Sequence, residues 1–457
     1  MLLAMTPAQP ETAASTVAVI GLGKIGLPLA AQFAGKGMNV IGCDINKDVV
    51  ATVNSGQSHV QEEPGLAEAV AAAVASGRLK ATEDTPAAVA TANTVVVIVP
   101  LMVDRDHHID FRGIDAATSA IARGLRKGTL VVYETTLPVG TTRKRFGPML
   151  QTSSGLRPGA DFHLAFSPER LYAGRIFEDL RRYPKIVGGV DKGSTDRAVA
   201  FYRGALDAEV WPVESTETAE FAKLAETTYR DVNIALANEL ALYGANRAVN
   251  VAEAFKAANS QPYSHLHRPG IGVGGHCIPV YPQFLLGDAT DGELGLVRGG
   301  RTTNDAMARL SIDALAAALG GLEGRRVLVL GASYREDVKE MAFSTAIPLV
   351  EELHRARAHA LIHDPLFQAH ELAGLEAEVA DLSPGARIDV DAVIVQAFHR
   401  EYADLDWGRF HGLKVVFDGR GAVDPERIRM VGARYLAVGV AADNRASAPA
   451  PPPEGER

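Results

Sequence analysis

The chain has 457 residues, of which 47% are hydrophobic, and it carries a net charge of −9. This length exceeds one ordinary hydrophobic core and indicates two or three packed domains. The acidic balance offers no basic surface for nucleic acid or for an anionic membrane. The most apolar run, TVVVIVPLMV at 94–103, is shorter than the roughly 20 residues that a membrane helix needs.

Only two cysteines are present, Cys43 and Cys277. Two thiols exclude a disulfide framework and a metal site of four thiolates, and they suit a reducing compartment. The N-terminal residues also lack the basic start and the long apolar segment of a signal peptide. We therefore expect a cytoplasmic protein without a bound metal, in which Cys277 is a free thiol.

The first predicted elements are short apolar runs separated by helix-length segments. These runs are TVAVIGLG, MNVIGCD, TVVVIVP and GTLVVYETT. Such alternation is typical of parallel strands joined by crossover helices. From Ser215 the segment STETAEFAKLAETTYRDVNIALANELALYGANRAVNV is nearly free of Gly and Pro, and it begins with residues that favour a helix N-terminus. It predicts one long helix.

Near Arg325 the strand pattern returns with RRVLVLGA, HALIHDP, DAVIVQAF and LKVVFDGR. The final residues, DNRASAPAPPPEGER, are rich in Pro and Ala and predict a disordered tail. The fold class is therefore α/β, with two Rossmann-like doubly wound domains joined by a long central helix and a helical middle region. The predicted domains are 1–212, a central helical and dimerisation region at 213–318, 319–440, and a tail at 441–457.

A dinucleotide fingerprint follows the first strand. Gly21, Gly23 and Gly26 lie between that strand and a helix, and Asp44 ends the next strand. This spacing gives a tight turn, a close approach of the backbone to a pyrophosphate, and an acceptor for ribose hydroxyls. A carboxylate at 44 would repel a ribose phosphate, so NAD is expected rather than NADP. The predicted cofactor-binding residues are Gly21, Gly23, Lys24, Ile25, Gly26 and Asp44.

The second α/β domain has a single glycine, Gly331, after its first strand. It lacks the fingerprint and could hold a different nucleotide or none. Cys277 lies in GVGGHCIPV at 272–280, named here the cysteine loop. A reactive thiol needs access and freedom from crowding, which glycines provide. The alternative is a small buried residue, which is the interpretation we favour for Cys43.

Five motifs together resemble the UDP-glucose/GDP-mannose dehydrogenase family, from the fingerprint to FDGR near 420. They are GLGKIGL, TTLPVGTT at 135–142, SPERLYAGRIFEDL from 167, EFAKLAETTYRDVNIALANE from 220, and the cysteine loop. The chain is most similar to the UDP-N-acetylhexosamine branch, whose loop reads GGHCIPV. The resemblance implies NAD-dependent oxidation of the C6 hydroxyl of a UDP-sugar to a carboxylate, with transfer of four electrons, for polysaccharide precursor synthesis. It also implies a homodimer or a higher homo-oligomer.

The resemblance further implies roles for individual residues. Cys277 would be the nucleophile, Lys223 would stabilise the C6 oxyanion, Glu169 would be the general base, and Thr136 would order water beside the nicotinamide. Beyond Glu169 and Lys223, the implied substrate-binding residues are Arg170, Thr227, Gly274, Arg335 and Arg420. Arg170 and Arg420 have an ordinary ion pair as the alternative.

Four positions depart from the pattern of the family. Thr227 stands where an asparagine is usual, and Tyr281 stands where an aspartate organises water. Ala342 replaces an arginine and Arg335 replaces a lysine. These changes put the hydrolysis step and the diphosphate contacts in question. Three alternatives stay open: a UDP-glucose 6-dehydrogenase, a two-electron dehydrogenase of the hydroxyacid type, and a non-catalytic nucleotide-sugar binding protein.

Overall fold

The computed structural model describes residues 15–104, 108–172, 174–247 and 249–440. The predicted tail at 441–457 lies outside these residues. Internal contacts divide the chain into two units, one ending at Glu226 and the other beginning at Thr227. The predicted boundaries at 212 and 318 stay predictions. Within the described ranges, every helix is too short or too polar to span a bilayer.

The first unit is built on an eight-stranded sheet, with a separate two-stranded ribbon of β5 and β6. The strands are β1 Thr16–Ile20, β2 Asn39–Cys43, β3 Leu79–Thr82, β4 Thr94–Val97, β5 Met102–Val103, β6 Ile109–Asp110, β7 Leu130–Tyr133, β8 His163–Phe166, β9 Lys185–Gly189 and β10 Val210–Pro212. The four runs predicted as strands form β1, β2, β4 and β7, so that prediction is confirmed.

The sheet order is β10-β9-β8-β7-β4-β1-β2-β3. Neighbouring strands are parallel except for β8 and β9, which are antiparallel. β1 lies between β2 and β4, so the chain reverses its direction of winding there and leaves a crevice at the carboxyl ends of these strands. Alternate residues of β1 enter two separate hydrophobic clusters, so the core lies on both faces of the sheet.

Among the described residues, eight α-helices precede the long helix α9, which includes the border between the two units. The bounds are α1 Gly26–Gly35, α2 Lys47–Asn54, α3 Leu66–Ala75, α4 Thr85–Thr91, α5 Arg112–Gly124, α6 Gly147–Ser154, α7 Ile176–Arg182, α8 Lys192–Ala205 and α9 Thr216–Ala245. A π-helical turn, Thr142–Phe146, leads into α6.

The predicted long helix begins where the sequence indicates, because the Ser215 hydroxyl accepts a hydrogen bond from the Thr218 amide at 3.2 Å. Its predicted extension to residue 251 is wrong, since α9 ends at Ala245. The side chain of Asn250 caps a new helix by accepting from the Glu253 amide. An asparagine that satisfies the N-terminal amides of a second helix favours a break over continuation.

The second unit adds helices and a six-stranded sheet. Its helices are α10 Val251–Ala258, α11 Tyr281–Leu286, α12 Gly295–Leu319, α13 Ala346–Arg355, α14 Ala369–Leu372 and α15 Pro425–Met430. Its strands are β11 Arg326–Leu330, β12 His359–His363, β13 Glu378–Val379, β14 Ile388–Asp389, β15 Ala392–Val395, β16 Phe410–His411, β17 Val415–Asp418 and β18 Arg434–Ala437. The four runs predicted from Arg325 onward form β11, β12, β15 and β17.

The sheet order in this unit is β13-β12-β11-β15-β17-β18, with every neighbouring pair parallel. This order places β11 between β12 and β15, as β1 is placed in the first unit. The side chains of β11 again divide between two hydrophobic clusters. Both predicted Rossmann-like domains are therefore present.

Candidate functional site

The turn between β1 and α1 can be built only with glycine at two of its positions. Gly21 has φ +93° and donates its amide to the Cys43 carbonyl at 2.8 Å. A Cβ atom on Gly26 would lie 1.9 Å from the Gly21 carbonyl oxygen. At Gly23 the corresponding position has no protein atom within 4 Å, so this part of the backbone faces open space. An anionic group can therefore reach the turn.

The Asp44 carboxylate is held at the edge of this turn. One oxygen accepts from the Leu22 amide and the other from the Asn46 amide, both at 2.9 Å. An ionised carboxylate has about four acceptor sites, so capacity is left for two ribose hydroxyls. The side chain is half-buried and the next residue, Ile45, is 96% exposed. The turn and this carboxylate fit a bound NAD.

Two other predicted cofactor residues lie on the same turn. Lys24 is exposed, and its ammonium lies 3.8 Å from the Glu62 carboxylate. Ile25 is half-buried and packs against the hydrophobic core beside α1. Their contact with a cofactor stays a prediction.

Three predicted catalytic residues belong to the first unit. Glu169 follows β8, Lys223 lies on α9 at 8% exposure, and Thr136 follows β7 at 5% exposure. Burial raises the pKa of the Glu169 carboxyl, and the ammonium of Lys223 acts in the opposite direction. The two side chains are thus electrostatically coupled. A carboxyl with a raised pKa is suited to general-base chemistry near neutral pH.

A buried charged cluster, which the sequence analysis missed, lies beside Glu169. The Glu134 carboxylate is fully buried, and its two oxygens contact the Lys185 ammonium and the Tyr202 hydroxyl, each at 2.6 Å. Lys185 also lies over the Tyr202 ring at 4.9 Å. The charge of Lys185 lowers the pKa of Glu169 and that of Glu134 raises it. In the sequence, the only local indication of this cluster is a glutamate directly after an apolar strand.

Arg170 forms an ordinary ion pair, which the sequence analysis gave as the alternative to substrate binding. Its Nε atom lies 2.8 Å from the Glu226 carboxylate, and Nη1 donates to the Pro184 carbonyl at 3.3 Å. These contacts hold the guanidinium inside the first unit. A contact with substrate stays a prediction.

The second unit contains a cavity of about 450 Å³ at the carboxyl ends of its central strands. Ligands of open α/β sheets bind in such a position. Of the predicted substrate residues, Gly274 and Arg420 line this cavity. Arg335 instead donates its Nε–H to the Tyr334 hydroxyl at 3.0 Å. Lining residues that the sequence analysis missed are His267, Arg268, Tyr334, Glu336 and Phe398. The sequence could have indicated the last three of these by their position, since they follow β11 and β15.

Arg420 is fixed by neutral acceptors. Its Nε and Nη2 atoms donate to the carbonyl and side-chain oxygens of Gln396, both at 2.5 Å, and Nη1 donates to the Gly272 carbonyl at 3.3 Å. Burial lowers the pKa of Arg420 to about 10, while Glu336 and Asp418 act to raise it. Because its hydrogen-bond partners are carbonyls, the positive charge stays available to a diphosphate.

The cysteine loop packs directly on the segment after β11. Gly275 has φ +90°, and a Cβ there would lie 2.9 Å from the Tyr334 ring. The Gly275 amide donates to the Ala342 carbonyl at 2.9 Å. A Cβ on Gly274 would lie 2.7 Å from the Phe343 carbonyl oxygen, so both glycines allow close packing within the protein. The approach of a ligand to Gly274, which also lines the cavity, stays a prediction. The backbone of Ala342, where the family has an arginine, supports the loop.

The two thiols have opposite surroundings. Cys277 is exposed, whereas Cys43 is 1% exposed and burial raises the pKa of its thiol to about 12. Neither forms a disulfide. Tyr281 brings its hydroxyl to 3.7 Å from the Cys277 sulfur, and the ring of His276 lies 3.5 Å from Glu340. Thr227, one helical turn after Lys223, is 5% exposed.

A dinucleotide turn in one Rossmann-like unit and a cavity lined by a half-buried arginine in the other are typical of an NAD-dependent dehydrogenase with a second nucleotide-binding unit. Matches to models of known protein families confirm this class. Residues 15–206, 217–306 and 328–425 match, in this order, the NAD binding, central and UDP binding domains of the UDP-glucose/GDP-mannose dehydrogenase family. The chain belongs to this family and is an NAD-dependent nucleotide-sugar dehydrogenase.

Individual relatives agree over nearly the full chain. A UDP-N-acetyl-D-mannosamine dehydrogenase of Pyrococcus horikoshii is 35% identical over 414 residues, 89% of this chain and 96% of that protein. The solved structure of a UDP-D-ManNAc dehydrogenase from Pyrococcus horikoshii has a TM-score of 0.84 at 33% identity, covering 93% of this chain and 99% of the other. An NDP-N-acetyl-D-galactosaminuronic acid dehydrogenase of Ralstonia nicotianae is 33% identical over 90% of this chain and 97% of its own.

Proposed function

We propose that the protein oxidises the C6 hydroxyl of a UDP-N-acetylhexosamine, with UDP-N-acetylmannosamine as the first candidate, to the uronic acid. The observation that carries this proposal is an exposed thiol outside any disulfide, Cys277, in a loop whose Gly274 and Ile278 line the cavity of the UDP-binding unit. The mannosamine relatives support the choice of sugar. The product suits a polysaccharide precursor, and the cytoplasm remains the proposed compartment.

When bound, NAD supplies the hydride acceptor for each of two oxidations. After the first, the C6 carbon is an aldehyde, which cannot lose a second hydride until a nucleophile adds to it. The Cys277 thiolate adds to the carbonyl carbon, and the oxygen takes a proton to give a thiohemiacetal. Loss of a hydride and of the hydroxyl proton gives a thioester. Water then attacks the acyl carbon and the carbon–sulfur bond breaks, which releases the acid and the thiol.

Three residues of the first unit would assist these steps. The Lys223 ammonium stabilises negative charge on the C6 oxygen, an interaction that is strongest where water is excluded. Glu169, whose pKa burial raises, accepts the proton of the attacking water. The Thr136 hydroxyl orders water beside the nicotinamide. Thr227 would donate a single hydrogen bond to the C6 oxygen, where an amide would offer two donors.

The UDP end would bind the second unit. Arg420 would contact the diphosphate and the Gly274 backbone would border it, because both line the cavity. Arg335 and Arg170 stay candidates for further contacts with the substrate. This arrangement requires the Cys277 sulfur to reach the C4 edge of the nicotinamide, and a structure with bound NAD that places the sulfur beyond that reach would refute the mechanism.

The decisive experiment mixes the purified protein with NAD and a panel of UDP-sugars, and measures NADH and sugar acid together. The panel includes UDP-N-acetylmannosamine, UDP-N-acetylglucosamine, UDP-N-acetylgalactosamine and UDP-glucose. We expect two NADH per acid with an N-acetylhexosamine. Dominant turnover of UDP-glucose would move the assignment to UDP-glucose 6-dehydrogenase. One NADH with released aldehyde would favour two-electron chemistry, and binding without NADH would favour a non-catalytic protein.

Two substitutions test the covalent step. Cys277→Ala removes the nucleophile, so formation of acid should collapse. Cys277→Ser keeps a nucleophile whose ester hydrolyses more slowly than a thioester, so a covalent sugar adduct should accumulate and be visible by mass spectrometry. Full acid-forming activity of Cys277→Ala would show that this thiol is not the nucleophile.

The protein is further proposed to form a homodimer through α9. Large apolar side chains on this helix are exposed at positions separated by 8, 7, 4 and 3 residues, a spacing that places them on one face. They are Phe221, Tyr229, Leu236, Leu240 and Tyr243. A stripe on one helix can pack against its own copy around a two-fold axis. Light scattering of the wild type and of Leu240→Glu tests this, and a monomeric wild type would refute it.

A further inference from the structure

The cysteine loop brings a tyrosine hydroxyl against the proposed nucleophile. The Cys277 thiol donates a hydrogen bond to Tyr281 Oη at 3.7 Å, and once the thiol is ionised the phenol hydroxyl becomes the donor of this bond. The backbone fixes this pair, because the amides of Val280 and Tyr281 both donate to the Cys277 carbonyl, at 3.3 and 2.9 Å. Side chains four residues apart across such a turn face the same side. The contact therefore follows from the local fold of the loop.

The phenol ring is anchored by its neighbours. Tyr281 is the first residue of α11, and Pro282 follows it in the first turn. The ring packs in a tilted arrangement against Phe284, with centroids 5.6 Å apart, and Phe284 is 3% exposed. Packing against a buried aromatic residue restricts the ring, so the hydroxyl stays directed at the sulfur.

The identity of residue 281 changes the charge beside the thiol. A phenol hydroxyl donates a hydrogen bond, and a bond donated to an ionised acceptor is roughly twice as strong as a neutral one. It therefore favours the thiolate over the thiol. A carboxylate at this position, which the family pattern leads us to expect, would repel negative charge on the sulfur instead.

We propose that Tyr281 is a positioning residue for Cys277, whose hydroxyl holds the sulfur as a directed thiolate in place of the carboxylate of the family. This inference rests on the proposed function, because it takes Cys277 as the attacking group. It implies that the thiol of this chain ionises at a lower pH than it would with phenylalanine or aspartate at 281. Tyr281 thus acts on the addition step, which precedes hydrolysis.

Other titratable groups belong to the loop and to the segment packed on it. His276 lies 3.5 Å from Glu340, and Tyr334 packs on Gly275 while its hydroxyl accepts from Arg335. All of these groups are unchanged when only residue 281 is substituted. A comparison among variants at 281 therefore isolates the contribution of the phenol.

The test measures the rate at which iodoacetamide alkylates Cys277 in the full chain as a function of pH, with mass spectrometry as the readout. Cys43 does not interfere, because it is 1% exposed and burial raises the pKa of its thiol to about 12. Tyr281→Phe keeps the ring and removes the hydroxyl. Its profile should move up by about one pH unit, which slows alkylation at pH 7 about 5- to 10-fold. Tyr281→Asp should move it further.

Tyr263→Phe is the matched control, since Tyr263 is 93% exposed and the substitution also removes one phenol hydroxyl. Its profile should coincide with that of the wild type. A Tyr281→Phe profile that also coincides with the wild type would overturn the inference, as would a Tyr281→Asp profile at lower pH. The alkylation data need no substrate, so they separate two failures. If Cys277→Ala still forms the acid, the proposed function is refuted. If the Tyr281→Phe profile is unshifted, only the inference about the phenol is refuted.

Discussion

Six strands of the first sheet, β3-β2-β1-β4-β7-β8, have the same order as the six strands of the second sheet, but the two units differ in the surroundings of the acid that follows the second strand. In both, a glycine with positive φ follows the first strand and donates its amide to the end of the second strand: Gly21 to Cys43 and Gly331 to His363, each at 2.8 Å. The next residues are Asp44 and Asp364. Asp44 is half-buried, whereas Asp364 is 2% exposed.

The partners of Asp364 explain the difference. One of its oxygens accepts from the amides of Ala332 and Ser333, each at 2.8 Å, and from His399 Nε2 at 2.9 Å. The other ring nitrogen of His399 accepts from the Asp337 amide at 2.9 Å, so Nε2 carries the proton. His399 is fully buried. In the second unit the acid after the second strand is thus hydrogen-bonded within the protein, and the cavity described above is lined by residues that follow β11, β15 and β17.

The same fold position is therefore open in one unit and closed by internal hydrogen bonds in the other. The Asp44 carboxylate keeps acceptor capacity beside its two hydrogen bonds and so suits a dinucleotide, whereas a carboxylate that is fully hydrogen-bonded inside the protein cannot serve one. Matched substitutions at the two aspartates should separate these roles.

The largest expected effect is on the stability of the second unit. Asp364→Ala leaves two buried amides and the His399 N–H without an acceptor, which should cost about 3–5 kcal/mol in the free energy of unfolding. Trp407 is 3% exposed in this unit, so its fluorescence in a Trp211→Phe background follows urea unfolding of the second unit alone. A loss below about 1 kcal/mol would show that the hydrogen bonds to Asp364 contribute little to the stability of the second unit.

Asp44→Ala should act mainly on binding of the cofactor. Two hydrogen bonds from ribose to a charged acceptor are lost, so the Kd for NAD, measured by calorimetry, should rise about 10- to 100-fold. The difference in affinity between NAD and NADP should become smaller, because the carboxylate that repels the ribose phosphate of NADP is gone. Thermal unfolding without ligand should weaken by less than in Asp364→Ala, because of the two donors to Asp44 only the amide of buried Leu22 loses its acceptor away from the surface. Comparable initial rates of the wild type with NAD and NADP would contradict the role of Asp44.

A smaller effect is expected at Gly23. A methyl group there meets no protein atom within 4 Å, so Gly23→Ala should fold with unchanged stability. The methyl would occupy the space of the pyrophosphate, so NAD should bind about 5- to 10-fold more weakly. Binding of UDP to the second unit is the internal control and should be unchanged. Unaltered NAD affinity would show that the pyrophosphate does not approach this turn.

The smallest effect is a pH dependence. Burial opposes ionisation of Asp364, but hydrogen bonds from His399 and the backbone outweigh it and hold the pKa of the carboxyl below its usual range. A lowered carboxyl pKa gives stability that is present above the unfolded value, near 4. That stability is lost as the pH falls through the lower folded value. Unfolding of the second unit followed by Trp407 should therefore weaken less between about pH 5 and 3 in Asp364→Asn than in the wild type.

Features encoded in contiguous residues were predictable from the sequence. The turn at Gly21 and the helix from Ser215 depend on local spacing and capping, and the structure agrees with both. The end of that helix was not predictable, because it depends on competition from the cap at Asn250. The cluster around Glu134 joins side chains 51 and 68 residues apart, and no local pattern encodes such pairings.

Asp364 shows the same limit within a predicted element. HALIHDP was predicted as a strand followed by an acid, and in that respect it matches MNVIGCD. His399, which donates a hydrogen bond to the Asp364 carboxylate, is 35 positions further along the chain. Sequence spacing places an acid at the end of a strand, but only the tertiary fold decides whether a ligand can reach it.

The contrast between the two thiols also has a consequence for oxidative damage. Peroxide converts an accessible cysteine to a sulfenic acid, which is normally rescued when a neighbouring thiol condenses with it to a disulfide. The other cysteine of this chain is sealed in a hydrophobic core at 1% exposure and cannot act as that resolving thiol. Oxidised Cys277 therefore depends on an external reductant such as glutathione, and without one a second molecule of peroxide oxidises the sulfenic acid to the irreversible sulfinic acid.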